Sequence, residues 1–136
     1  MTGWLFVIAG AAASWGSRAQ HLPSLSSTEA EVYGLSTGVC DLLTCAHFLE
    51  EIGFRSIWPV PLFCDSRGAR LLSSDCAAPA RARHIHRRWY FSRYYEQDGK
   101  ISIREIKGTL NPANFMTKAV GGAAFARDRA YAMGLR

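Results

Sequence analysis

The segment from Thr28 to about Glu51 constrains the fold most, because its apolar residues recur in steps of three and four. That spacing is the period of an α-helix with one buried face. The residues Ser26–Glu29 have the Ser-x-x-Glu form of a helix capping box, and Gly53 follows the last turn. We therefore predict a long helix whose inner stripe contains Leu35, Val39, Leu42, Ala46 and Leu49.

Short apolar runs on both sides of this helix have the length and composition of β-strands. The first two runs are joined across Gly10 and predict a hairpin. The third run ends directly before Asp65, and the fourth alternates apolar and polar residues. The runs are Trp4–Ala9, Ala12–Arg18, Val60–Cys64 and Ile101–Ile106. The stretch Trp4–Trp15 also resembles the apolar part of a signal peptide, but no Lys or Arg precedes it and its glycines favour strands.

Basic and aromatic residues alternate before the last strand, on a predicted helix that ends near Gly99. We also predict a helix over Ser66–Ser74, a loop or an irregular helix start over Asp75–Arg83, a turn over Gly108–Pro112 and helical segments over Ala113–Lys118 and Ala123–Met133. The order strand, strand, helix, strand, helix, basic helix, strand, helix predicts an α/β fold with a mixed sheet flanked by helices.

Bulk composition favours one globular domain over residues 1–136. Hydrophobic residues make up 49% of the chain and charged residues 20%, which is typical of a packed protein rather than a disordered one. The net charge of +5 is weak support for a phosphate-bearing partner. The cysteines have no zinc-site spacing, and we expect reduced thiols at Cys40, Cys45, Cys64 and Cys76.

Oxygen-bearing side chains occur near the ends of three predicted elements: Glu29 or Glu31 at the first helix, Asp65 after a strand, and Asn114 after a turn. Such groups suit Mg²⁺, and two such ions can hydrolyse a phosphodiester. Glu31 shares the inner stripe of the helix, which leaves Glu29 as the cap. The alternatives are that Glu31 caps the helix with Thr28, and that Asp65 is only a helix N-cap.

Four segments, in order, resemble the ribonuclease H domain of copia-type retrotransposons. They are Leu25–Ser36 at the helix start, Phe63–Ser66 at the strand end, Arg81–Phe91 in the basic helix, and Asn111–Lys118. The resemblance covers nearly the whole chain. It implies a ribonuclease H-like sheet flanked by helices, in the C-terminal part of a Pol polyprotein that has a reverse transcriptase portion upstream.

The resemblance also implies roles for individual residues. Glu31 and Asp65 would be catalytic metal ligands for Mg²⁺ or Mn²⁺, with Asn114 standing where the family has a third catalytic acid. The substrate would be the RNA strand of an RNA:DNA hybrid, in a cytoplasmic virus-like particle or the nucleus, with no membrane partner and no secretion. The basic helix would bind nucleic acid through Arg81, Arg83, His84, Arg87 and Arg88.

Two departures from the family pattern predict impaired catalysis and weak metal binding: Asn114 has no charge, and the family's first aspartate lies on a central strand that would precede Met1. A third departure, His86 in place of a common acidic residue, makes the basic helix more basic. The alternatives are a non-catalytic nucleic-acid-binding module and an inactive transposon remnant. An integrase-like nuclease requires two aspartates before its glutamate, whereas the glutamate comes first here.

Overall fold

The structure is a computed structural model that describes residues 1–20, 27–55, 58–65 and 83–135; the side chains of residues 27–29, 83–86 and 89 are not described. The strands are β1 (Thr2–Ile8), β2 (Ala11–Arg18), β3 (Val60–Cys64) and β4 (Ile101–Glu105). The helices are α1 (Ser27–Glu51), α2 (Arg83–Gln97) and α3 (Gly122–Ala132), with 3-10 helices at Gly108–Leu110 and Pro112–Met116. The mixed α/β class is therefore confirmed.

The described elements form two compact units: Met1–Pro23 with Lys107–Arg136, and Ser24–Ile106. We call them the hairpin unit and the helical unit. Each contains its own two-stranded sheet, antiparallel for β1 and β2 and parallel for β3 and β4. The prediction that residues 1–136 form a single domain stays a prediction.

The hairpin unit is built on the pairing of β1 with β2, which confirms the predicted hairpin. The register runs from Thr2 opposite Arg18 to Ile8 opposite Ala11, with an irregularity between Phe6 and Val7. The 3-10 helix Pro112–Met116 packs against β1, where a Cβ on Gly3 would lie 2.6 Å from the Cβ of Met116. Glycine at this position therefore permits the close approach of the two segments.

The hairpin turn consists of Ala9 and Gly10, with φ angles of 52° and 89°. Positive φ at both central residues is the pattern of a type I′ turn, for which asparagine is well suited at the first position and alanine is not. We expect Ala9→Asn to raise the free energy of unfolding by roughly 0.5–1 kcal/mol. Chemical denaturation measures this change. Ala9→Val is the matched control and is expected to lower stability, because a β-branched side chain tolerates positive φ poorly.

The helical unit packs α1 against α2 beside the β3–β4 pair. The predicted inner stripe of α1 is buried at four of its five positions, and Leu49 is half-buried; Val39 has no exposed surface. On β4, Ile101 is buried and Ile103 half-buried, as the alternating pattern predicted. These residues form the apolar core of this unit.

Residues Ala30–Glu51 are also long and apolar enough to cross a membrane by length and composition alone. The same property is found in core helices of soluble proteins, and the buried stripe on α1 has that character.

Most predicted boundaries agree with the structure to within two residues. The main difference is at residues 108–118, where a turn followed by a helix was predicted and two short 3-10 helices are found. Pro112 removes one backbone donor, and Asn111 caps the second 3-10 helix by accepting a hydrogen bond from the Ala113 amide at 3.0 Å. The predicted helix over Ser66–Ser74, the segment that follows it up to residue 82 and the capping serine Ser26 lie outside the described residues.

Candidate functional site

Glu31 lies in the second turn of α1 and is half-buried. It stands seven residues before Gly38, which is two helical turns, so both residues lie on the same face of α1. A Cβ on Gly38 would lie 3.9 Å from the Cδ1 of Leu62 in β3. Glu31 is therefore on the side of α1 that faces β3. The side chain of Glu29 is not described, so its predicted capping role stays a prediction.

Two contacts define the direction of β3 relative to α1. Just before the strand, the indole Nε1 of Trp58 donates a hydrogen bond to Glu50 Oε1 at 2.9 Å. Further along the strand, Leu62 faces Gly38. As β3 advances, its neighbours on α1 thus have lower residue numbers, and the strand runs antiparallel to the helix. The C-terminal end of β3 points toward the N-terminal end of α1, where Glu31 lies.

The same alignment gives the position of Asp65 along the axis of α1. From Leu62 to Asp65 the chain advances three residues, or about 10 Å at strand rise, and from Gly38 back to Glu31 the helix spans about 10 Å. Asp65 is exposed and follows the last residue of β3, so strand alternation does not fix it to the face of Phe63. Glu31 and Asp65 therefore belong to the same end of the helical unit.

The described residues contain no group of three or more His, Cys, Asp or Glu side chains arranged to hold a metal ion. Within the helical unit, the candidate ligands that the sequence predicted are the carboxylates of Glu31 and Asp65. Two acidic ligands are enough for Mg²⁺ only when water or substrate phosphate oxygens complete its shell.

Asn114 belongs to the hairpin unit and has a structural role there. Its Nδ2 donates a hydrogen bond to the Gly108 carbonyl oxygen, which links the two 3-10 helices. The backbone carbonyl oxygen of Asn114 accepts hydrogen bonds from the backbone amides of Thr117 and Lys118 at 3.0 and 3.1 Å. An ionised aspartate has no donor to replace Nδ2, so the asparagine is suited to this turn in a way that the acid is not.

Arg88 of the basic helix is engaged with α1. Its guanidinium lies 3.7 Å from the centre of the Tyr33 ring, and its Nη1 donates a hydrogen bond to Ser36 Oγ at 3.2 Å. This arrangement combines a cation–π contact with a hydrogen bond between helices. The sequence predicted nucleic acid as the partner of Arg88 but not the contacts with Tyr33 and Ser36, although these two residues share a helix face at a spacing of three residues.

The exposed face of α2 combines Arg87, Tyr90 and Tyr94, all of which are exposed. Their spacing of three and four residues places them along one side of the helix. We call these three residues the α2 stripe. The side chains predicted to bind nucleic acid at Arg81, Arg83 and His84 lie outside the described part of the chain.

The thiol of Cys40, on the exposed side of α1, has a raised pKa. Desolvation by the surrounding protein atoms is the main cause, the Asp41 carboxylate adds to it, and the Arg88 guanidinium opposes it. Among the described cysteines, Cys40 and Cys45 are free thiols.

This shift predicts slow alkylation of Cys40. The folded thiol should require a higher pH for half-maximal reaction with iodoacetamide than the same thiol in urea, because the thiolate is the nucleophile. Asp41→Asn should lower that midpoint and Arg88→Ala should raise it, since each removes one charge acting on the thiolate.

By linkage, the contribution of Cys40 to the free energy of unfolding is present below the unfolded-state pKa and is lost as pH rises through the folded-state pKa. Peptide-resolved mass spectrometry follows Cys40 alone; a folded midpoint at or below the unfolded one contradicts the prediction.

Known proteins share this sequence over most of its length. It is 34% identical over 119 residues, 88% of this chain, to the retrovirus-related Pol polyprotein from transposon TNT 1-94 of Nicotiana tabacum. It is 29% identical over 112 residues, 82% of this chain, to those from transposons RE1 and RE2 of Arabidopsis thaliana. No protein-family model matches, and no solved structure matches.

The matched region is 9% of the tobacco polyprotein and 8% of each Arabidopsis one, so the chain spans under a tenth of the length of these relatives. Its two acidic residues of interest, Glu31 and Asp65, belong to one compact unit, and its basic helix belongs to the same unit. By its sequence, the chain is homologous to one short region of the retrovirus-related Pol polyproteins of plant transposons.

Proposed function

We propose that the chain is a ribonuclease H-like module of a copia-type Pol polyprotein, which in intact form hydrolyses the RNA strand of RNA:DNA hybrids and is impaired as it stands. The observation that carries the proposal is the antiparallel alignment of α1 with β3. With this alignment, Glu31 and Asp65 have the same position along the axis of α1, each about 10 Å beyond the point where Leu62 faces Gly38. Carboxylates at a helix start and at a strand end are suitable ligands for a phosphodiester-hydrolysing metal site.

The described residues fit one hard cation better than two. Glu31 and Asp65 would hold Mg²⁺, or Mn²⁺, which when bound supplies a polarised water and charge at the leaving oxygen. In this chain, the Glu31 carboxylate would orient that water from α1, and Asp65 would bind from the strand end. Asn114 contributes no charge, and its amide is already bonded to Gly108. We therefore expect weak metal binding and negligible hydrolysis.

Adding acidic groups tests this proposal. An aspartate-bearing strand supplied ahead of Met1, together with Asn114→Asp, should produce Mg²⁺-dependent cleavage of a labelled RNA:DNA hybrid. In that extended chain, Glu31→Gln or Asp65→Asn should lower the rate at least tenfold, about the smallest loss seen when a metal ligand's supporting partner is removed. Glu51→Gln, on the exposed end of α1, is the matched control and should leave the rate unchanged.

A second readout does not depend on activity. Mg²⁺ titration by calorimetry should detect binding in the extended chain and lose it in Glu31→Gln. Asn114→Asp also removes a donor from the Gly108 carbonyl, so the variant's fold is to be checked by its unfolding midpoint. A folded, extended Asn114→Asp chain without hydrolysis would count against the site assignment.

A non-catalytic nucleic-acid-binding module is the second candidate, and the exposed guanidinium of Arg87 favours it. Such a module should bind an RNA:DNA hybrid without metal, with affinity that falls steeply as salt rises. Fluorescence anisotropy in EDTA over a range of salt concentrations measures this. An affinity that does not change with salt would argue against the candidate.

A further inference from the structure

We infer that the α2 stripe, Arg87, Tyr90 and Tyr94, is a binding surface for a single, unpaired nucleic-acid strand. The inference rests on the proposed function in taking nucleic acid as the partner, and it goes further by naming unpaired bases as the ligand. Tyr90 is 59% exposed and Tyr94 61% exposed, although tyrosine is a residue whose ring normally finds partial cover.

The ring of Tyr94 is held in place while it remains exposed. It makes an edge-to-face contact with Tyr95, with ring centroids 5.2 Å apart at 86°. Tyr95 in turn meets Phe91 edge-to-face, at 5.0 Å and 69°. Because this chain of rings orients Tyr94 before any ligand arrives, a stacked base would lose little additional side-chain entropy there.

Charge and spacing complete the surface. Arg87 is exposed at the start of the stripe, whereas Arg88 points its guanidinium at Tyr33 of α1. Residues four apart on a helix have Cβ atoms about 5–6 Å apart, which allows Tyr90 and Tyr94 to take neighbouring bases while Arg87 contacts a phosphate. This combination of a cation and successive aromatic rings is the chemistry that binds single strands without sequence preference.

An unpaired strand is favoured over a duplex because stacking needs exposed base faces. In an RNA:DNA hybrid those faces are covered by the neighbouring base pairs, and tyrosine rings would meet only sugars and phosphates. The aromatic residues of the stripe would then contribute little. The hybrid therefore serves as the comparison ligand in the test.

Fluorescence anisotropy with labelled oligo-dT tests the inference on the whole chain. The double variant Tyr90→Ala/Tyr94→Ala should bind at least tenfold more weakly, since each stacked base contributes roughly five- to 150-fold in affinity. Tyr90→Phe/Tyr94→Phe keeps both rings and should bind as the wild type does. Tyr131→Ala removes an exposed tyrosine from α3 and should also have no effect. Arg87→Ala should reduce the salt dependence of log K by about 0.7.

Three outcomes would overturn the inference: no binding of oligo-dT by the wild type, equal binding by the double alanine variant, or a loss confined to the hybrid. Unfolding midpoints of both double variants confirm that the comparison is between folded proteins. Hydrolysis by the extended chain is scored separately. Hydrolysis without stripe-dependent oligo-dT binding overturns this inference alone, whereas stripe-dependent binding without hydrolysis supports it and rejects the nuclease proposal.

Discussion

Replacing Gly16 with alanine is expected to destabilise the hairpin unit by roughly 1–3 kcal/mol, the usual cost of forcing an extra carbon into a packed site. Gly16 lies directly opposite Trp4 in the β1–β2 pair, and the indole ring covers it. A Cβ on Gly16 would lie 2.6 Å from Trp4 Cε2 and closer still to Cζ2 and Cη2. Since real carbon atoms do not approach so closely, either the ring or the strand must move.

Trp4 has little room to move, because only 8% of its surface is exposed. Its ring also lies under the guanidinium of Arg18, at 5.3 Å. An aromatic ring that covers a cross-strand glycine is a recognised way of stabilising a glycine in a sheet. The substitution should therefore cost both the packing of the ring and the pairing of the strands near it.

Differential scanning calorimetry and denaturant titration measure the loss for Gly16→Ala. Gly122→Ala is the matched control, because a Cβ there has no neighbour within 4 Å and alanine favours the helix by up to about 1 kcal/mol. A second variant, Trp4→Phe/Gly16→Ala, removes the carbon atoms that clash and should recover part of the loss. Equal stability of Gly16→Ala and the wild type would show that the ring does not cover Gly16 in solution.

Periodicity predicted the helices and strands well because local patterns determined them. The stripe from Leu35 to Ala46 is continuous in the sequence and is buried in the structure, and Val60–Cys64 was predicted with the bounds that β3 has. Residues 108–118 were harder, because the two 3-10 helices depend on side-chain bonds from Asn111 and Asn114 that hydrophobic spacing does not show.

The candidate site was predictable in its residue types but not in its arrangement. Motif order identified Glu31 and Asp65, whereas their common level follows from the Trp58–Glu50 and Gly38–Leu62 contacts, which join segments distant in sequence. The sequence likewise predicted a basic, aromatic helix, but it did not show which of its side chains pack against α1 and which are exposed. Only the packing of α1 on α2 shows that Arg88 lies over Tyr33 while Tyr90 and Tyr94 are exposed.

The core of the helical unit depends on Ile101. Truncation of this side chain is expected to have the largest effect on the stability of the unit. Ile101 begins β4, pairs with Val60 of β3 and is 1% exposed. Ile101→Ala should lower the free energy of unfolding by roughly 2–5 kcal/mol, because it removes buried carbon atoms and leaves a cavity. Ser102→Ala, at the next and half-buried position, is the matched control and should cost much less.

Ile101→Ala and Gly16→Ala together test whether residues 1–136 behave as one domain, because each variant weakens a different unit. Amide hydrogen exchange, read separately for β1–β2 and for β3–β4, should show equal loss of protection in both units for either variant if they unfold together. Loss confined to the substituted unit would contradict the single-domain prediction.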